Sequence, residues 1–179
     1  MAGSPNVFLI SDTHFRHAGS VKWLEPDGSK TREFETSDEV DELMIKNWNK
    51  TVKPVDKVYH LGDVSMGTNS AVSEILKQLN GTKVLIKGNH DIGKLSWYAE
   101  HFKDVRGSWQ LGDYVLTHIP VHPGSLFRWP KGNLHGHYHK NRVKLESGEI
   151  DPRYICMSVE QINYTPYPFE GLKNLTPRV

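Results

Sequence analysis

Five short β-prone runs in this chain each end in aspartate, asparagine or histidine, and that recurrence restricts the folds available to it. Val7 to Ile10 runs into Ser11-Asp12-Thr13-His14, Lys57 to Leu61 into Gly62-Asp63, and Lys83 to Lys87 into Gly88-Asn89-His90-Asp91. Further on, Tyr114 to Thr117 stops at His118, and Asn133 to His135 is followed by Gly136-His137-Tyr138-His139. In α/β sheets the loops beyond the carboxyl ends of parallel strands converge on one crevice. A fold that aligns these strands would gather about eight oxygen and nitrogen donors in one place, with no sulfur among them.

The intervening segments point to such a fold. Thr36, Ser37 and Asp38 offer N-cap oxygens for a helix running to about Asn49, with Val40, Leu43, Met44 and Trp48 on its buried face. A second helix is expected over about Ser70 to Leu79, closed by Asn80-Gly81, and a short one around Lys94 to Phe102. Residues 15–36 are polar and read as a long loop with a short helix; such a segment directly after a strand more often serves a site than a core. The second half changes to short strands, adding Ser108 to Leu111, Arg142 to Glu146 and Tyr154 to Val159. Gly112-Asp113 and Ser147-Gly148 supply hairpin turns, and the proline-rich end from Thr165 is expected to wrap the surface. Strand–helix alternation followed by strands predicts an α/β layered fold with a partly parallel sheet, in a single domain over residues 1–179.

Composition narrows the rest. The formal net charge of +1 gives no sign of bulk nucleic-acid or membrane binding, though one local site can still hold a phosphate. No stretch approaches the roughly 18 consecutive apolar residues that span a bilayer, and the N-terminus lacks the basic and apolar regions of a secretory signal, so a cytoplasmic address is expected. Cys156 is the only cysteine, which rules out an intrachain disulfide; its apolar setting reads as a packed thiol. The 10 histidines are informative because most stand beside Gly, Asp or Asn, and neutral imidazole is the commonest protein ligand for transition metals.

A mixed oxygen and nitrogen donor set suits Mn, Fe, Zn or Ni, whereas Mg or Ca would favour more oxygen. In an extended segment, residues i and i+2 point the same way, so Asp12 and His14 are expected to bind together, as are His137 and His139. Gly62, Gly88 and Gly136 allow close backbone approach in crowded turns. Seven or eight donors exceed the needs of one ion, so two divalent metal ions are expected. Two cations about 3.5–4 Å apart can lower the pKa of a shared water and clamp both oxygens of an in-line displacement, which points to hydrolysis at phosphorus.

In residue type and order these motifs resemble the calcineurin-like metallophosphoesterase superfamily, whose pattern runs D-x-H, G-D-x-x-D, G-N-H-[DE], a lone H, then G-H-x-H. The match covers residues 7 to 139. A small bacterial and phage branch is also similar through Ile10-Ser11-Asp12-Thr13-His14-Phe15, Asn47-Trp48-Asn49 and Val58-Tyr59-His60-Leu61-Gly62-Asp63, with Asn163-Tyr164 and Pro166 near the end. The resemblance implies a four-layer α/β/β/α sandwich with two mixed β-sheets. It implies one metal held by Asp12, His14, Asp63 and His139, and a second held by Asp63, Asn89, His118 and His137, with Asp63 bridging. His90 matches the position that contacts the phosphate and protonates the leaving oxygen.

Two departures bear on substrate and mechanism. Met66 stands where the family usually has a second Asp that orients the catalytic His, so either Asp91 or another group orients His90, or His90 matters less as an acid. The Arg-Gly that protein-phosphatase-like members carry after that Asp is missing, which disfavours a large phosphoprotein substrate. The expected activity is phosphodiester hydrolysis of a nucleotide-like or cyclic ester. The alternatives are a phosphomonoesterase acting on nucleotides or polynucleotide ends, and a scaffold that binds metal without chemistry. Arg16 and His17 are candidate phosphate contacts and Asp91 a candidate supporting residue. His60, His135, His122 and His101 read as structural or surface residues.

Overall fold

In the computed structural model, which describes residues 5–175, the first apolar run forms a strand, Val7–Ile10 (β1), buried on both faces. It pairs in parallel with Lys57–His60 (β2), which pairs with Thr82–Ile86 (β3), which pairs with Asp104–Arg106 (β4). The second sheet comprises Trp109–Leu111 (β5), Tyr114–Leu116 (β6), Gly132–His135 (β7) and Tyr154–Cys156 (β8) in that order. β5 and β6 are antiparallel, and β6, β7 and β8 are parallel. Tyr167–Pro168 (β9) adds antiparallel to the free edge of β1, so both sheets are mixed.

Side chains along β1 alternate between two cores. Phe8 and Ile10 pack toward the helices, and Leu9 packs between the sheets with Tyr59, Leu61, Val84, Ile86, Leu116 and Leu134. Three helices cover the outer face of the first sheet: Ser37–Thr51 (α1), Ser70–Gln78 (α2) and Leu95–Ala99 (α3). α1 begins in a capping box in which Thr36 accepts from the Glu39 N–H and the Glu39 carboxylate accepts from the Thr36 N–H. It buries Val40, Met44 and Trp48, and the Trp48 indole N–H donates to the Asn80 carbonyl, tying α1 to the segment after α2. Outside the second sheet lies a thinner layer, a 3-10 helix over Pro123–Arg128 whose Leu126 packs on Val115 and Tyr154. Two mixed sheets between helical layers are the α/β architecture that the resemblance implied.

Several local expectations need correction. Arg142 to Glu146 is not a strand; it carries one isolated bridge, Lys144 to Ile150, because its exposed side chains have no sheet face to bury. The strand expected over Tyr154 to Val159 stops at Cys156 and turns into a 3-10 helix at Val159–Gln161. The end from Thr165 does more than wrap the surface: β9 closes the β1 edge, and Leu172 enters the core between the sheets. β4 had no sequence signal, since Asp-Val-Arg at a sheet edge needs little apolar burial.

The two sheets meet at their carboxyl ends. A parallel bridge joins Ser11 to Ser158, the Asp12 N–H donates to the Gly62 carbonyl, and the Gly136 N–H donates to the His118 carbonyl. All five strand ends thereby open on one crevice.

Candidate metal centre

Five of the sequence-identified donors have left-handed backbone conformations: Asp12 (φ 58°), His14 (48°), Asp63 (57°), His137 (70°) and His139 (48°). Non-glycine residues in this region are costly and concentrate where function requires a particular direction. The segments are therefore not extended, and the i, i+2 rule fails for one of its two pairs. Asp12 and His14 do converge, but His137 and His139 diverge to different groups.

Two groups of three result: Asp12, His14 and His139, and Asp63, His118 and His137, with the donor atoms of each within 4.8 Å of one another. Asp63 stands between them, its Oδ2 lying 3.7 Å from His14 Nε2 and 3.3 Å from His118 Nε2. Close backbone approach makes this compactness feasible. A Cβ on Gly88 would fall 2.2 Å from Asp63 Oδ1, and one on Gly136 would fall 2.0 Å from Ser11 Oγ and 2.5 Å from Asp12 Oδ2.

Hydrogen bonds orient the ligands. Asp12 accepts from the His137 N–H and from Ser158 Oγ (2.7 Å). His118 Nδ1 donates to the Leu61 carbonyl at 2.8 Å, which leaves Nε2 as the ring atom facing the crevice. Asn89 is exposed and places Oδ1 2.9 Å from that same Nε2. The His90 N–H donates to Asp63 Oδ1 at 2.8 Å, while its ring is part-exposed, with Nε2 4.0 Å from Asp63 Oδ2.

Asp91 acts on backbone. Its carboxylate accepts from the N–H groups of Asp63 (2.9 Å), Val64 (3.0 Å) and Gly88 (2.8 Å), clamping two of the ligand-bearing turns together. None of these bonds reaches the His90 ring, and the Met66 side chain is exposed. Arg16 is drawn to α1, where its guanidinium pairs with Asp38 and Asp41. The His17 ring lies 5.8 Å from that of His14, at the edge of the site.

The remaining histidines have protein partners. Buried His60 accepts from the Gly62 N–H and meets Thr13 Oγ1 at 3.0 Å; burial pushes its pKa down to about 3. His135 donates to the Gly136 carbonyl, and burial lowers its pKa to about 4. His122 caps the 3-10 helix at Pro123–Arg128, and His101 contacts Ser73.

Four residues escaped sequence reading. Trp23 sets its ring edge-on to His14 (5.0 Å) and His139 (5.1 Å), forming one wall. Arg32 is buried and donates to the Asp12 carbonyl, and Glu160 accepts from both Arg32 and His139. Ser158 holds Asp12. The only available signal was indirect: Trp23 and Arg32 fall in the long polar loop, Ser158 sits in what reads as a strand, and Glu160 follows directly after it.

The donors fit divalent cations. Both ring nitrogens of His14 are buried without a hydrogen-bond partner. Burial, aided by Arg32 and the neighbouring imidazoles, holds the His14 pKa well below its ordinary value, so the ring is a neutral ligand. Burial alone would raise the Asp63 carboxyl, but the hydrogen bond and charge of His118 and the His90 N–H outweigh it and keep the carboxyl low, hence anionic. The unshared His14 nitrogens beside the ionised Asp63 carboxylate form a set that a cation completes.

A calcineurin-like phosphoesterase family model matches residues 5–174. The chain belongs to the calcineurin-like phosphoesterase family. This calcineurin-like phosphoesterase is 37% identical over 173 residues to an uncharacterized protein of Methanocaldococcus jannaschii, across 94% of this chain and 90% of the relative. It is 31% identical over 118 residues to the gene 66 protein of Mycobacterium phage D29, across 63% of this chain and 53% of the phage protein. A solved structure of an Aquifex aeolicus protein of unknown function shares its fold, with a TM-score of 0.69, 24% identity and coverage of 96% of this chain and 99% of that one. Among the described residues, no helix is long and apolar enough to cross a membrane.

Proposed function

We propose that this calcineurin-like phosphoesterase hydrolyses a phosphodiester, nucleotide-like or cyclic, at a centre for two divalent cations, with manganese the first metal to test. The observation that carries this reading is the meeting of two donor triads on Asp63, with the His14 nitrogens unpartnered. Asp12, His14, Asp63 and His139 would hold one cation, and Asp63, Asn89, His118 and His137 the other. Such a pair of cations supplies a water of lowered pKa and stabilises charge on the phosphoryl oxygens.

The protein's own groups supply the rest. The bond from the His90 N–H to Asp63 fixes the His90 backbone, and its part-exposed ring lies at the open side of the centre, where it can donate a proton to the leaving alkoxide. The wall of the adjoining cleft is built largely from Trp23, Leu24, Pro26 and Tyr138. Among its described lining residues there is no lysine or arginine, and Glu25 adds a carboxylate. A surface of this kind accommodates a singly charged diester better than a dianionic monoester.

One observation favours a second reading. On the other side of the centre, a cleft beside Asn89 and His118 is lined by Lys87, a cation that a nucleotide monoester or polynucleotide end would use.

The two are separated by assaying manganese-loaded protein on bis-p-nitrophenyl phosphate and p-nitrophenyl phosphate. Higher kcat/KM on the diester is expected. Preference for the monoester would overturn the diesterase reading. Absence of turnover on either, with metal bound, would leave a metal-binding scaffold. Asp63→Asn should abolish turnover.

A further inference from the structure

Arg32 and Glu160 lie outside every motif of the sequence, yet each side chain is only 1% exposed. Burying an ion pair costs several kcal/mol per ion unless further hydrogen bonds offset it. Apart from a 3.5 Å bond from Arg32 to Ser20 Oγ, the further bonds lead to one place. Arg32 Nε donates to Glu160 Oε1 at 2.7 Å, and its other nitrogens donate to the carbonyls of Asp12 (2.6 Å) and Thr13 (3.2 Å). That backbone carries the left-handed residues Asp12 and His14, so the guanidinium braces a strained turn that bears two donors.

The same Glu160 oxygen lies 3.1 Å from His139 Nδ1. An ionised carboxylate only accepts, so this contact places the imidazole proton on Nδ1 and leaves Nε2 as the nitrogen His139 can offer to its group with Asp12 and His14. The surrounding segment works on the same triad. Ser158 Oγ donates to Asp12 Oδ2, and Gln161 Nε2 donates to the His139 carbonyl at 2.6 Å.

In the second triad the Asp91 carboxylate braces only backbone, at Asp63 and Gly88, and among the described residues no carboxylate outside the triads steadies one of its ligating imidazoles. His118 is steadied by the neutral Leu61 carbonyl, Asn89 is exposed, and the hydrogen bonds of His137 to Asp12 are made by its backbone N–H.

We propose that Arg32 and Glu160 are positioning residues that preorganise the Asp12–His14–His139 triad and make it the tighter of two unequal cation sites. The proposal rests on the two-metal reading above. Removing the partner of a ligating histidine typically weakens metal affinity about 10–100-fold.

The test is a manganese titration of the full chain after chelator stripping, followed calorimetrically and by electron paramagnetic resonance of free manganese. Wild type should show two events of different affinity. In Glu160→Gln the tighter event should weaken roughly 10–100-fold while the weaker changes less than about 3-fold. Arg32→Lys keeps the charge but loses the fork that spans Asp12, Thr13 and Glu160, and should weaken the same event by a smaller factor. Equal weakening of both events, or of neither, would overturn the proposal.

Ring-nitrogen spectra of metal-free wild type provide a check that needs no variant. His139 should be protonated at Nδ1 with Nε2 unprotonated, and the opposite tautomer would overturn the positioning role. Should wild type bind no manganese, the two-metal reading fails, while the His139 tautomer still decides the part played by Glu160.

Discussion

Replacing Asp91 by Asn is a sharp probe of how the site is held, because the two side chains are nearly isosteric and the carboxylate is fully buried. Asp91 Oδ2 accepts from the Asp63 and Gly88 N–H groups, and Oδ1 from that of Val64. An Asn oriented to keep the two bonds at one oxygen turns its NH2 onto the Val64 N–H, leaving two buried donors without acceptors. Each unsatisfied buried donor costs about 1–3 kcal/mol. Burial raises the Asp91 carboxyl above its usual range despite the three bonds, so relief of that burial offsets part of the loss. A net destabilisation of about 2–4 kcal/mol is expected. Chemical denaturation of chelator-treated wild type and variant measures it directly. The basic limb of the pH–rate profile provides a second readout and should not move, since no Asp91 hydrogen bond reaches the His90 ring. A loss under about 1 kcal/mol would refute the bracing of the two turns. A shifted limb would instead show that Asp91 acts on His90.

Gly136→Ala should remove the first triad's metal affinity and all turnover, because its Cβ overlaps Ser11 Oγ and Asp12 Oδ2; metal content by elemental analysis checks this. Stability should fall on acidification from pH 6.5. His60 and His135 stay neutral in the fold down to about 3 and about 4, whereas the unfolded chain takes up their protons through the ordinary imidazole range. By pH 5 each contributes a loss of about 2 kcal/mol, readable as a lowered denaturation midpoint in chelator; His60→Gln should flatten part of that slope. Arg16→Ala should leave KM within about 2-fold of wild type, because the guanidinium is already engaged by Asp38 and Asp41 on α1; a rise of 10-fold or more would place it on the substrate.

The candidate metal donors were legible in the sequence because the chemistry is narrow and the signals are local. Few residue types ligate divalent metals through oxygen and nitrogen, and a strand end marked by glycine places them within a handful of positions. The helices were equally readable, since the α1 capping box and the apolar face of α2 depend on neighbours three or four residues apart. The structure corrected what local pattern cannot carry. His137 and His139 share a motif but join different triads, because left-handed turns cancel the alternation of an extended chain. The end after Thr165 looked like surface until the free edge of β1 recruited it.

From residue types and order alone, the chain is committed to an α/β sheet whose strand ends collect oxygen and nitrogen donors. Only the tertiary structure decides which donors share a cation and what holds them. The Arg32–Glu160 pair spans 128 positions and has no spacing rule to reveal it. Its role arises from burial, which makes an unpaired charge costly, and from the 3-10 turn at Val159–Gln161, which brings the carboxylate to His139.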